Sequence, residues 1–390
     1  MQRAIEGSQA IAHAVAMCRP QVIAAYPITP QTHIVERLSK LVADGTLACE
    51  FVSVESEFSA ASVVLGAASS GVRAYTATSS QGVLLMSEVL YNIAGMRIPL
   101  VLTCANRAVS APISIWNDHQ DSMAVRDAGW IQLYCESNQE AVDTSVQAFR
   151  IAEACELPVM VCVDGFTLTH TLEPLFLPEQ EEVDQFLPPY HFERSLDIQA
   201  PLTLGMLATP EYFPEVRHAH HAAMLKAFET IEDTDADWAK ISGRYCGGLI
   251  DVSGPEDAEI GILSMGSVLG TLREAAGTFT DLPPAKIIKL RAFRPFPVDA
   301  LQSAVAGLKE LVVLERALSP GAGGIVAAEV RAALSEMDSP PRVHGFAAGL
   351  GGRNMPMTLY RRLIGATRAK RPCRFSIIDV EMEKLPEEDR

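Results

Sequence analysis

Glu57 stands at the head of a run of small and apolar residues, from Phe58-Ser59-Ala60-Ala61 to Gly66-Ala67-Ala68, that reads as a helix. A carboxylate in a first helical turn suits the positive end of the backbone dipole, so an ordinary N-terminal charge accounts for it if it is taken alone. Its company suggests more. Upstream lies the Pro-flanked stretch Tyr26-Pro27-Ile28-Thr29-Pro30; downstream come Thr78-Ser79-Ser80-Gln81-Gly82 and then Asn106-Arg107. An acid in a dry pocket can hold or share a proton, and a guanidinium can grip a carboxylate through paired hydrogen bonds. Each group also has a plainer use. Arg107 could serve a salt bridge, Thr29 could cap a helix beginning near Gln31, and Gln81 and Gly82 could serve helix packing.

The elements that must position these residues are short β-branched runs alternating with helix-period segments. Strands are expected at Val22–Tyr26, Phe51–Val54, Arg73–Thr76, Pro99–Cys104, Ile131–Cys135 and Pro158–Val163. Helices are expected between them, at Gln31–Leu41, Glu57–Ala68, Val83–Ala94 and Ala141–Ala154. Such alternation implies βαβ units and a mostly parallel sheet covered on both faces. Ligands then bind beyond the carboxyl ends of the strands, and the polar clusters above follow four successive strands onto one rim.

A chain of 390 residues exceeds the usual size of a single core. The expected division is a first domain over 1–250, including a connector arm over about 166–250, and a smaller α/β domain over 251–390. The arm carries a helix from Pro210 to about Asp235; the second domain has strands at Glu259–Ser264, Lys286–Leu290, Glu310–Leu314 and Phe375–Ile378. Other clusters carry less. Asp118-His119-Gln120-Asp121 reads as an acid–base group or a hydrogen-bonded loop, with the loop preferred. His218, His220 and His221 fit a solvated helix better than a metal site. Gly321-Ala322-Gly323-Gly324 could cradle a phosphate on backbone amides or simply pack helix on strand.

The formal charge of −16 opposes phosphate backbones and anionic lipid, so no nucleic acid and no membrane partner is expected. No leader-like start and no long apolar run occurs, and a cytoplasmic location follows. The eight cysteines are scattered without a C-x-x-C pair, which predicts neither disulfides nor a metal site in this chain. Any iron–sulfur cluster must then be bound elsewhere.

Taken in order, Tyr26-Pro27-Ile28-Thr29-Pro30, Glu55-Ser56-Glu57, Thr78-Ser79-Ser80-Gln81-Gly82 with Leu85-Met86, Asn106-Arg107-Ala108 and Ser114 to Asp121 resemble the α subunit of pyruvate:ferredoxin oxidoreductases. Asp164-Gly165-Phe166 with His170, Arg294-Pro295-Phe296-Pro297 and Gly349-Leu350-Gly351-Gly352-Arg353 extend the likeness over most of the chain.

The resemblance implies a pyrimidine-binding domain for thiamine diphosphate, followed by a transketolase-C-terminal-like domain. It implies that a β subunit holds the diphosphate and Mg2+, with γ and ferredoxin-like δ subunits completing a hetero-oligomer that carries the iron–sulfur clusters. The Gly-Asp-Gly signature with its later Asn-Asn is missing here, in keeping with that division. On this likeness Glu57 activates the cofactor, with Glu55 its rival, and Arg107 and Thr29 place the substrate. Pro27, Gln81 and Gly82 line the cofactor site.

The implied reaction is oxidative decarboxylation of a 2-oxoacid, pyruvate by default, to an acyl-CoA, with coenzyme A as co-substrate. Aromatic substrates such as phenylglyoxylate or indolepyruvate, branched-chain 2-oxoacids and 2-oxoglutarate stand as alternatives, because pocket width separates them. So do a non-catalytic subunit retaining the fold, and a transketolase-like or decarboxylase enzyme that makes no acyl-CoA.

Overall fold

The computed structural model describes residues 2–390. Strand β1 (Gln2–Glu6) leads into α1 (Gly7–Met17), followed by β2 (Val22–Ala25), α2 (Thr32–Ala43), β3 (Glu50–Ser53), α3 (Glu57–Ser69), β4 (Ala74–Thr78) and α4 (Gln81–Gly95). Then come β5 (Val101–Asn106), the short α5 (Gln120–Ala124), β6 (Ile131–Tyr134), α6 (Asn138–Cys155) and β7 (Val159–Asp164). The helices form for local reasons. Ile34, Val35, Leu38 and Leu41 give α2 one apolar stripe, and all four are buried. Ser56 is extended and caps α3, its Oγ accepting the Ser59 N–H at 3.2 Å.

These strands make a seven-stranded sheet in the order β12-β6-β7-β5-β4-β2-β3. All but β12 (Ala292–Arg294) run parallel, and β5 and β7 are buried throughout, as a sheet covered on both faces requires. The α/β class expected from the alternation is the class observed. The carboxyl ends of β2, β3, β4, β5 and β7 all open on one side.

After β7 the chain forms β8 (Leu172–Phe176), which pairs antiparallel with β1, then α7 (Gln180–Phe186) and α8 (Phe213–Ser242). Here the structure departs from the expected arm. Helix α8 is 30 residues long and buries Ala227, Ile231 and Trp238 in the same core as α1 and α6. Trp238 donates Nε1–H to Asp143 of α6 at 2.9 Å. His220 is a correction to the solvated helix: it is buried, with Nε2 3.2 Å from the Gly129 carbonyl. Gly129 leaves no room for a Cβ beside that ring.

The remainder comprises β9 (Ile250–Ser253), β10 (Ile260–Ser264), α9 (Val268–Thr278), β11 (Ala285–Leu290), β12, α10 (Val298–Val305), β13 (Glu310–Glu315), α11 (Ile325–Leu334), β14 (Arg342–Ala347), α12 (Thr358–Ala366) and β15 (Ser376–Ile377). Apart from β12 its strands form a six-stranded sheet, β15-β14-β13-β10-β11-β9, parallel except for β9. The two sheets are joined by more than chain. Strand β12 adds antiparallel to β6 at the edge of the first sheet, and Arg294-Pro295 ends it, as suits an edge position.

Beside that strand, Arg291 is fully buried and donates to Gly248 O, Thr144 Oγ1 and Gln147 Oε1, while Lys289 meets Glu140 at 2.8 Å. Paired and hydrogen-bonded in this way, these buried charges fix the second sheet against α6; loss of one partner would strand the other. Among the described residues no helix is long and apolar enough to cross a membrane.

Candidate active site

The rim is built from the turns that follow β2 to β5. Glu57 opens α3 immediately after its cap and is buried, with 8% of its surface exposed. Among the described residues its carboxylate forms no hydrogen bond, which leaves its oxygens open to a donor from a ligand. Glu55 differs: it is exposed and engaged by the Ser59 hydroxyl at 2.5 Å. Burial therefore separates the two acids as the resemblance does.

Gly82, in the first turn of α4, closes on Glu57. A Cβ at this position would lie 2.9 Å from Glu57 Oε1 and 2.2 Å from Thr78 Oγ1. Thr78 Oγ1 beside Gly82, and Ser79 Oγ and Gln81 Nε2 in the same turn, are buried and have no hydrogen-bond partner among the described residues. Unpartnered polar atoms beside a buried free carboxylate suit a flat, nitrogen-bearing ring, so these residues fit the pyrimidine of thiamine diphosphate.

Arg107 follows β5 and is largely buried, its Nε donating to Ser114 O at 2.9 Å and Nη1 to Thr29 O at 2.9 Å. Nη2 makes no hydrogen bond within the described residues, so a donor edge of the guanidinium is left for an anion. Burial lowers its pKa from the ordinary value and the nearby Asp121 opposes that, but an arginine keeps its charge regardless. Thr29 is exposed beside it, as is Pro27. Thr29 is not a helix cap: α2 starts at Thr32, with Gln31 in the capping position and no side-chain cap bond. The structure thus brings Glu57, Gln81 and Gly82 together, and separately joins Arg107 to Thr29 through a main-chain carbonyl.

Behind the rim lies a buried polar layer that sequence reasoning left largely unassigned. Asp121 accepts the main-chain N–H of Ser80 and of Arg107, each at 2.9 Å. Burial pushes its pKa up to about 6, against the hydrogen bonds that lower it. Asp164, at the end of β7, accepts from His119 Nε2 at 2.7 Å, Arg316 Nη1 at 2.9 Å and Ser267 N at 3.0 Å. Burial works to raise its pKa, yet Arg316 and His119 together hold it well below the carboxylate range. With its oxygens so occupied, the Asp164-Gly165 pair is a strut between the two sheets. The signal for Asp121 was the density of polar residues over Asp118–Asp121 and that for Asp164 the Asp164-Gly165-Phe166 stretch, and neither by itself reveals burial.

Three further groupings are resolved by geometry. Glu315 accepts the N–H groups of Ile325, Val326 and Ala327 at 2.8–3.1 Å, so the amides opening α11 after Gly321–Gly324 are already satisfied and the packing reading holds. Glu6, His33 and His170 gather beyond the carboxyl ends of β2 and β7, with His33 Nδ1 2.6 Å from Glu6 and its ring 4.6 Å from that of His170. All eight cysteines are free thiols.

Residues 13–235 match the family described as pyruvate flavodoxin/ferredoxin oxidoreductase, thiamine diP-binding, and residues 258–358 match pyruvate:ferredoxin oxidoreductase core domain II. The chain is 48% identical over 369 residues to pyruvate synthase subunit PorA of Methanosarcina barkeri, covering 93% of this chain and 92% of that one. It is 38% identical over 360 residues to ketoisovalerate oxidoreductase subunit VorA of Pyrococcus abyssi, covering 92% and 91% respectively. A solved structure of 2-oxoglutarate:ferredoxin oxidoreductase from Magnetococcus marinus, with 2-oxoglutarate, coenzyme A and succinyl-CoA bound, superposes with a TM-score of 0.71 at 22% identity. That match covers 93% of this chain, which spans 64% of the larger one. With matches that run nearly end to end and a site that fits a thiamine ring, the chain belongs to the pyruvate flavodoxin/ferredoxin oxidoreductase family.

Proposed function

We propose that this chain is the subunit of a 2-oxoacid:acceptor oxidoreductase that activates thiamine diphosphate and places pyruvate for oxidative decarboxylation to acetyl-CoA. The single observation that carries this reading is the buried, unpartnered Glu57 carboxylate closed upon by Gly82. Identity supports pyruvate over a branched substrate: relatives named pyruvate synthase reach 48%, against 38% for the ketoisovalerate enzymes.

When bound, thiamine diphosphate supplies the carbon nucleophile. Glu57 holds a proton at the pyrimidine ring nitrogen, and because the residue is buried that proton is shared rather than lost to water. Thr78, Ser79 and Gln81 would offer polar atoms to the bound cofactor, and Gly82 leaves the space beside Glu57 that a side chain would fill. Arg107 binds the 2-oxoacid carboxylate through its free guanidinium edge, while its bonds to Ser114 and Thr29 fix its orientation. Thr29 offers its exposed hydroxyl beside the same anion.

The reaction releases CO2 and two electrons and passes the acyl group to coenzyme A, so it requires an electron acceptor. The eight thiols of this chain are scattered rather than grouped, which supports iron–sulfur clusters on partner subunits. A β subunit holding the diphosphate and Mg2+, with γ and δ subunits, fits a chain whose Asp164 is fully engaged internally. Exposed Phe58, Leu84 and Leu85 beside Glu57 and Gly82 give that β subunit an apolar rim to cover. The assembly works in the cytoplasm, where free thiols persist.

The test is turnover of the assembled complex across a panel of 2-oxoacids, with and without electron acceptor and coenzyme A. Pyruvate should give the highest kcat/KM, with strict dependence on both. Full turnover lacking an acceptor would instead mark a simple decarboxylase.

A further inference from the structure

Asp121 touches neither of the places given to substrate and cofactor, yet it is hydrogen-bonded to the backbone of both. Its carboxylate is fully buried and takes four N–H donors. Oδ2 accepts from Ser80 N and Arg107 N, each at 2.9 Å; Oδ1 accepts from Asn106 Nδ2 at 2.8 Å and Ser122 N at 2.7 Å. The Cys104 thiol lies 3.6 Å from Oδ2.

Two of these donors belong to the working turns. Ser80 N–H lies beyond the end of β4, immediately before Gln81 and Gly82, and Arg107 N–H lies beyond the end of β5. Neither has a ladder partner at that point, and a buried N–H must find an acceptor. One carboxylate serves both.

Ser80 also adopts φ +50 and ψ −122, a conformation natural to glycine that a serine keeps only when its surroundings hold it. The supports are the Asp121 bond and the Ser80 hydroxyl, which donates to Ala108 O at 2.5 Å. Ala108 is the residue after Arg107, so the two turns are stitched together twice.

We propose that Asp121 is a positioning residue for the 2-oxoacid reaction, acting as a carboxylate that sets the Arg107 clamp and the Ser80–Gly82 turn in register with each other. The substrate anion and the cofactor ring are thereby held by one rigid unit rather than by two independent loops. This rests on the roles given above to Arg107 and Gly82.

The donor set makes the requirement for a carboxylate specific. Every one of the four donors is an N–H, so both oxygens must accept. An asparagine, whichever way its amide is turned, presents one oxygen and sets an NH2 group against two N–H donors. A residue needed only to fill space would tolerate that exchange of near-identical shape.

The experiment is steady-state kinetics of D121N in the assembled multi-subunit enzyme, alongside R107K and the double variant D121N/S80G. The expected result for D121N is a rise of at least tenfold in both the pyruvate KM and the thiamine diphosphate concentration for half-activity. In R107K only the pyruvate KM rises. Adding S80G to D121N restores neither constant, because glycine permits φ +50 without fixing it and removes the hydroxyl bond to Ala108 O.

D121N with both constants unchanged, or with activity lost only in proportion to folded protein, overturns the proposal. If R107K leaves the pyruvate KM unchanged, the role of Arg107 falls instead, and the thiamine limb still reads Asp121. Should D121N not assemble, hydrogen exchange on the unaltered enzyme carries the test. Ser80 and Arg107 amides protected like those of β4 and β5 support the clamp, and exchange at loop rates overturns it.

Discussion

The α-carbon of Gly82 faces the Glu57 carboxylate with no space for a side chain between them: a methyl group there would stand 2.9 Å from Oε1 and 2.2 Å from the Thr78 hydroxyl oxygen. Thr78 is buried and β-branched, so it cannot easily turn aside. In an ordinary helix, glycine to alanine would add about 0.5–1 kcal/mol of stability. Here the added methyl must shift the start of α4 away from Thr78 and displace the acid. G82A is expected to keep its fold while losing at least tenfold in apparent thiamine diphosphate affinity, measured by activation of the apo-complex. Unchanged affinity would mean that the ring does not lie against this face.

Arg107 yields a second expectation. Lysine keeps the charge but loses the planar fork, the bond to Ser114 O and the bond to Thr29 O. Charged hydrogen bonds of this kind contribute about 1.5–3 kcal/mol, so R107K should raise the pyruvate KM roughly ten- to a hundredfold. Steady-state kinetics on pyruvate checks this. A variant with normal KM and lowered kcat would place the guanidinium elsewhere in the reaction.

Asp164 governs a pH effect on stability. Its pKa in the folded chain is depressed by Arg316 and His119 despite burial. Its contribution is therefore present above the unfolded value of about 3.9 and is lost as pH falls through the lower folded value. D164N leaves Arg316 buried without its partner, at a cost of about 3–5 kcal/mol near neutrality. The difference in thermal midpoint between D164N and the unaltered chain should be constant above about pH 5 and shrink below about pH 4. A gap that widens with acid would contradict the assignment.

Much of this site is legible in the sequence because its residues sit where parallel strands end, and strand ends are marked by local composition. Arg107 follows β5 directly, and Glu57 and Gly82 come within a few residues of the ends of β3 and β4. What escaped depended on distant partners. Asp121 looked like one more polar loop residue, since nothing in its neighbours' types shows that Ser80 would need its oxygen.

Strand β12 was missed because its three residues are ordered only by pairing with β6, far away in sequence. The β1–β8 ribbon escaped for the same reason. His220 looked solvated because the helical pattern around it is polar, whereas Gly129 opens a slot that receives its ring. The glycine loop at 321–324 was ambiguous until Glu315 was seen to occupy the amides of α11.

The most direct measurement is the rate at which bound thiamine diphosphate exchanges its C2 hydrogen for deuterium, followed by quenching and NMR, in the complex carrying E57Q. Replacing the acid with an amide of the same shape removes proton sharing while leaving the packing against Gly82 in place. The account predicts exchange slowed by about 10²- to 10⁴-fold, the usual worth of one acid–base group, with the cofactor still bound. Exchange at the unaltered rate in a saturated E57Q complex would contradict it.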